Sequence, residues 1–265
     1  MSISIRTALK NVASEKYNKT NLFFYIVLIF LCGLCGLFVP DGNVKTINST
    51  MAAGILFYLI ICFIMGGMYV LSVNNAILNK DGIIPNLFSE IKEIISKGLL
   101  YFIGCCVVMT IMMLIILVPF IILLVIQPLL GLIVIPVIFI LGIYYLGFYF
   151  NFLSSLDLSD WFNLKKASAF IKKSGGKLGI YIWKFLVINI ICLIVFMAIS
   201  IPLIIILGIP AVFSPAAMDT AEMSVSSVSA LVAAVVFGIG NIYTIDLTAQ
   251  YIKEVDFKYQ DNQTT

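Results

Sequence analysis

From Gly98 to Leu156 the chain carries neither an acidic nor a basic residue. That run is far too long for one membrane-crossing helix, since roughly 20 apolar residues suffice to cross about 30 Å of hydrocarbon. It must hold two crossings. Gln127–Pro128 is the natural break, because proline removes an amide donor and turns the preceding residue away from helix. The rest of the sequence follows the same pattern, with apolar segments at approximately 21–40, 51–74, 99–126, 129–152, 178–207 and 225–252. Hydrophobic residues make up 62% of the sequence and charged residues 11%, against about 25% charged in soluble domains. The mean hydropathy is +1.13. A soluble fold has no means of burying so much apolar surface. The sequence therefore predicts an all-α polytopic membrane protein with six transmembrane helices, forming one integral membrane domain over residues 1–265.

Orientation follows from where Lys and Arg lie in the short segments between crossings. The N-terminal arm holds Arg6, Lys10, Lys16 and Lys19; the second loop Lys80, Lys92 and Lys97; the fourth Lys165, Lys166, Lys172, Lys173 and Lys177; the C-terminal tail Lys253 and Lys258. The opposite side has only Lys45. This alternation predicts an even number of crossings in the plasma membrane with both termini cytoplasmic. The polar stretch before the first apolar segment is too long for a signal peptide and no small-x-small site follows it, so that segment is expected to remain as a helix. A net charge of +3 without a polybasic tract gives nucleic acid nothing to bind.

The cytoplasmic segments have their own periodicity. Asn86 is a good N-cap, and after it Leu87, Phe88, Ile91, Ile94, Ile95 and Leu99 share one helical face while Glu90, Lys92, Glu93 and Lys97 share the other. That is the pattern of an interfacial amphipathic helix. The N-terminal arm repeats it, with Ile5, Leu9, Val12 and Ala13 set against Arg6, Lys10, Asn11 and Lys16. A third such helix is expected between Ser159–Asp160 and Gly175–Gly176, with Trp161 and Phe162 suited to the interface. Each amphipathic helix leads into a two-helix hairpin. This suggests three repeats, at 1–78, 79–155 and 156–265, whose first crossings end alike at Val39–Pro40, Val118–Pro119 and Ile201–Pro202.

The stretch from Phe162 to Phe213, together with NIYTIDLTAQYIKE near the end, resembles a group of prokaryotic multi-pass membrane proteins, found in archaea and bacteria, classed as a domain of unknown function. The likeness covers residues 85–254. It rests on a basic helix before an apolar crossing, a Gly-Ile-Pro after it and a polar patch closing the last helix. The resemblance implies a helical membrane domain and transfers no catalytic residue.

No constellation for chemistry stands out. The chain has no His, which removes the commonest general base and metal ligand. Cys32-x-x-Cys35 lies inside an apolar helix, away from the strand–helix context that gives such a pair redox meaning. Cys62, Cys105, Cys106 and Cys192 also lie in crossings and read as small apolar filler. No catalytic residue, metal site or cofactor is expected.

Charged residues within crossings say more, because each costs about 2.5–3.5 kcal/mol or more near the bilayer centre. Lys184 and Asp246 are two such residues, each roughly 10 Å below the cytoplasmic surface by the 1.5 Å rise per residue. One reading pairs them across adjacent helices; the other lets Lys184 snorkel to the interface while Asp246 meets water or Gln250. Asn74, Asn75, Asn151, Asn189, Asn241 and Thr244 add polar groups. With Gln250, the residues Asn151, Asn189 and Asn241 form a candidate polar layer, lining a cavity or bonding helices to one another. Ser226, Ala230, Ala234 and Gly238 fall on one face of the last helix as a stripe for close packing, within the chain or between two copies. The segment 208–224 is expected as a solvated outer loop. These features fit a non-enzymatic protein that organises the membrane or binds partners, namely lipids, other proteins or a second copy. The alternative is a small-molecule transporter or channel.

Overall fold

The computed structural model describes residues 5, 6, 8, 17–36, 49–126, 134–213 and 218–261; of 33–36, 49–51, 124, 207–213, 218–227, 230, 234 and 256–261 it describes the backbone alone. Helix α1 spans Lys19–Gly36, α2 Ser49–Ile77, α3 Ile91–Ile126, α4 Val134–Ser155, α5 Leu164–Ser174, α6 Gly176–Phe213 and α7 Met218–Asp261. A 3-10 turn, Leu158–Trp161, joins α4 to α5. No strand occurs among the described residues. Helices α2, α3, α4, α6 and α7 are long and apolar enough to cross a membrane, and α1 has a shorter apolar stretch, Lys19–Cys32.

Short polar side chains set the helix boundaries. Asn18 Oδ1 accepts from the amide of Thr20 at 3.0 Å, Asn86 Oδ1 from that of Phe88 at 3.0 Å, and Asn163 Oδ1 from that of Lys166 at 3.0 Å. At Asn18 and Asn163 this satisfies an amide that the first helical turn leaves without a partner, whereas Asn86 closes a turn that leads into α3. Asp157 caps the 3-10 turn in the same way, through Ser159 N at 2.9 Å. Gly175, at φ +49°, closes α5 with a left-handed residue so that α6 can start in a new direction.

Several sequence expectations change. The amphipathic segment after Asn86 becomes a turn at 87–89 followed, from Ile91, by the opening turns of α3, not a separate helix. Of its apolar face, Ile94 is buried, while Ile91, Ile95 and Leu99 remain exposed. Neither Val118–Pro119 nor Ile201–Pro202 ends a helix: α3 continues to Ile126 with Pro119 inside it, and α6 continues to Phe213. A proline inside a spanning helix loses one hydrogen bond, and where no water competes the remaining backbone bonds keep the helix continuous. The outer loop expected at 208–224 is helical up to Phe213 and again from Met218, in keeping with the helix-forming Ala, Glu and Met there. Val39–Pro40 and Gln127–Pro128 lie outside the described residues, although α3 ends and α4 begins on either side of the latter.

Helices α2 and α7 form the centre. Helix α7 packs against α6 most extensively and also against α1, α2 and α5, while α2 packs against α1, α3, α4 and α7. The crossing stretch of α7 is accordingly the most buried of the five. Helices α2 and α3 meet backbone to backbone: a Cβ on Gly67 would lie 1.8 Å from the Ile94 carbonyl oxygen, and one on Gly98 1.9 Å from that of Phe63. Helix α3 touches α4 only lightly. Trp161 bridges them with its indole pressed on Gly104 of α3, where an added Cβ would lie 2.4 Å from the ring.

One end of the bundle is tied together by polar contacts. Asn21 Nδ2 donates to the Ile84 carbonyl at 2.9 Å, and Asn74 Nδ2 to those of Leu153 and Ser154 at 3.1 Å. Asn75 Nδ2 donates to the Ile83 carbonyl at 3.2 Å, and Lys97 Nζ to that of Leu156 at 3.1 Å. Lys177 pairs with Glu254 at 2.7 Å, and Lys253 donates to Asn79. These contacts join the start of α1, α3 and α6 to the end of α2, α4 and α7. The lysine-rich segments of the sequence therefore gather at this basic end.

Candidate functional site: a tyrosine-walled cavity

Five long helices place a tyrosine just below the basic end. Tyr25 lies six residues after Lys19, Tyr69 eight before Ile77, Tyr101 four after Lys97, Tyr149 six before Ser155 and Tyr181 five after Gly176. At 1.5 Å per residue this is a shell about 6–12 Å deep. They line a cavity of about 430 Å³ together with Asn241 of α7 and apolar side chains of α2, α4 and α6, among them Met65, Leu146 and Phe185. No charged residue lines it. Gly66 holds its wall open against Tyr101, whose ring would be 3.2 Å from an added Cβ.

The rings are held from behind. Tyr145 stacks on Tyr149 with centroids 6.4 Å apart and planes within 3°. Tyr181 stacks on Tyr251 at 4.7 Å, and Tyr251 meets Phe150 at 4.9 Å. Aromatic pairs at such distances add about 0.5–1.5 kcal/mol each beyond their area. Hydrogen bonds fix the hydroxyls of this support: Tyr181 shares one with Thr248 at 3.0 Å, Tyr251 donates to Ser174 Oγ at 2.8 Å, and Tyr145 meets Cys105 Sγ at 3.4 Å. Tyr25 differs. It is 1% exposed, lines the cavity, and its hydroxyl has no hydrogen-bond partner among the described residues. A buried hydroxyl without a partner costs roughly 1–3 kcal/mol, so beside the cavity Tyr25 keeps a hydrogen-bonding group that the described residues leave unsatisfied. Tyrosine faces add an electron-rich apolar surface that suits hydrocarbon, aromatic rings or an organic cation.

No family model, curated protein or solved structure matches this chain. The assignment of roles rests on the geometry.

The polar residues singled out from the sequence are distributed differently from a single layer. Asn241 reaches the cavity, and its carbonyl accepts from Thr244 Oγ1 at 2.7 Å. Asn189 bonds back to the Phe185 carbonyl of its own helix at 2.8 Å. Asn151 is half-buried, and its Nδ2 has no partner among the described residues. Gln250 Nε2 donates to Asp246 Oδ2 at 2.5 Å. The contacts Lys177–Glu254 and Tyr181–Thr248 set the antiparallel register of α6 and α7. Asp246 is buried at 6% and close enough to Tyr17, just before α1, to act on its phenol: burial first, and this carboxylate second, push Tyr17 well above its ordinary range.

Gly238 packs within the chain, since a Cβ there would come within 2.3 Å of Ile29 on α1. The side chains of Ser226, Ala230 and Ala234 lie outside the described ones. Cys32 and Cys62 bring their sulfurs to 3.9 Å, while the side chain of Cys35 is also outside them. In the N-terminal arm, Ala8 is 1% exposed, and with Ile5 it lines an apolar cavity of about 300 Å³ beside Cys192 and Gly240. Cys192 is sixteen residues into α6, about 24 Å along it. This part of the arm therefore lies beside the middle of α6 and α7, not along the basic surface as its amphipathic pattern suggested. At Gly240 an added Cβ would come within 2.5 Å of Cys192 Sγ, so this glycine lets α6 and α7 approach closely beside the cavity.

The sequence reading missed the tyrosines. A tyrosine near a membrane interface is ordinary, and only its repetition at one depth in five helices could have singled it out.

Proposed function

We propose that this chain is a non-enzymatic integral membrane protein that binds an amphipathic molecule drawn from the membrane, with six crossings and both termini in the cytoplasm. The observation that carries the reading is an uncharged cavity lined by five tyrosines and apolar side chains, with the unpartnered hydroxyl of Tyr25 buried beside it. Such a lining takes an apolar or aromatic body and satisfies one hydrogen-bonding group, but supplies no acid or base matched to neutral pH for turnover. The basic end supports the cytoplasmic orientation, and the plasma membrane is the expected location. The likeness to the prokaryotic family of unknown function and the threefold hairpin repeat belong to the same proposal and rest on the sequence.

Binding is tested by extracting the protein in native lipid and identifying small molecules retained through purification. A retained amphiphile, displaced about tenfold or more by Tyr25→Phe or Gly66→Val in protein of unchanged thermal midpoint, supports the reading. Identical retention in all three proteins overturns it. A second reading, transport of a small molecule, is favoured by Asn241 in the cavity and by the buried Asp246–Gln250 pair nearby on α7. Uptake into proteoliposomes that Asp246→Asn abolishes would establish it.

A further inference from the structure

Between α3 and α4 lies a second concavity, an apolar groove of about 470 Å³. Helix α3 touches α4 only lightly, and the gap is walled by Val108 and Ile115 of α3 and Ile140 and Phe148 of α4, with Phe162 and Leu164 at one end. Ile115, Ile140, Phe162 and Leu164 are exposed. Phe148 lies seven residues before the end of α4 at Ser155 and Ile140 fifteen before it. The groove therefore descends from about 10 Å to about 22 Å below the basic end. One leaflet of hydrocarbon is about 15 Å thick, half of a 30 Å core, so the groove, about 12 Å long, takes most of the length of one acyl chain.

Charge at the mouth says which lipid. Leu164 opens α5, and the next residue, Lys165, is exposed, as is Lys172 two turns further along the same face. The carboxylates nearest in the chain are already engaged: Asp160 is 3% exposed and bound to Lys166 at 2.6 Å, and Asp157 accepts from Ser159 N. A tight Asp160–Lys166 pair leaves the outer lysines as net positive charge beside the groove. We propose that the α3–α4 groove seats an acyl chain of an anionic phospholipid whose phosphate is held by Lys165, with Lys172 adding to the attraction. The site is separate from the tyrosine cavity, with no lining residue in common.

The test is native mass spectrometry of the full chain after equilibration in equal amounts of phosphatidylglycerol and phosphatidylethanolamine. Wild-type protein is expected to retain the anionic lipid in preference by about fivefold or more per lysine, the ratio that about 1 kcal/mol per basic residue near an anionic surface implies. Lys165→Gln, which removes only the charge, should reduce that preference about fivefold, and Lys165→Gln with Lys172→Gln should bring it close to one. Ile140→Trp, which fills the groove at an exposed position, should lower total retained lipid while Gly142→Ala, at a position where nothing lies within 4 Å of an added Cβ, leaves it unchanged. Equal retention of the two lipids by the wild type, or an unaltered preference in the double variant, overturns the proposal.

Discussion

Gly67 and Gly98 decide how closely α2 and α3 approach, because the nearest obstacle to a Cβ at either position is a carbonyl of the facing helix, which cannot turn aside. Gly67→Ala or Gly98→Ala is expected to destabilise the protein by about 3 kcal/mol, the upper part of the range for overpacking. Thermal unfolding in a defined detergent measures this, with Gly142→Ala as the control, since nothing lies within 4 Å of a Cβ there. Asp157 gives a pH-dependent contact. The Ser159 amide holds its carboxyl below the usual carboxylate range, so its cap is fully formed above the unfolded pKa of about 3.9 and is lost as pH falls through the lowered value. Hydrogen exchange at Ser159 should therefore accelerate only in acid, and Asp157→Asn should remove that pH dependence. The capping turn at Asn86 was legible in the sequence because capping is local, whereas the cap of α5 was expected at Ser159–Asp160 and is Asn163. The cavity was not, because which side of each helix its tyrosine faces depends on helix rotation, which neighbouring helices set.

At the scale of elements, α5 shows best what periodicity can reveal. Its buried Ala167, Phe170 and Ser174 alternate with exposed lysines; the sequence placed its end at Gly175–Gly176, but its start falls at Leu164 and not Ser159–Asp160, and Trp161, expected at the interface, is buried. Asn163→Ala should cost about 1 kcal/mol and increase exchange in the first turn of α5 without affecting α6. The pair Lys177–Glu254, partly exposed on both sides, should contribute less than about 1 kcal/mol, and a double-mutant cycle on thermal unfolding measures it. The same periodicity overreached at Asn86, since a pattern of faces cannot tell a separate surface helix from the opening turns of a crossing. Prolines misled for a related reason: in water Pro119 would mark an end, whereas α3 passes through it.

The whole molecule is organised by the asymmetry of its two ends. Hydropathy and the distribution of lysines conveyed this without a structure, because both act on whole segments and need no knowledge of which side chains touch. Six crossings require α1 to span the bilayer despite its shorter apolar stretch. Cysteines introduced at Asn86 and Ser168 in a cysteine-free background should both be shielded from an impermeant maleimide in intact cells, and one at Lys45 should react. Five crossings would leave the first and later loops out of step with that result. The central claim is that the five tyrosines enclose an occupied site below the basic end. An electron cryo-microscopy map of the protein in native lipid tests it most directly. The expected result is non-protein density among Tyr25, Tyr69, Tyr149 and Tyr181, within hydrogen-bonding distance of the Tyr25 hydroxyl. A map in which these rings close on one another and leave no space between them would contradict the account.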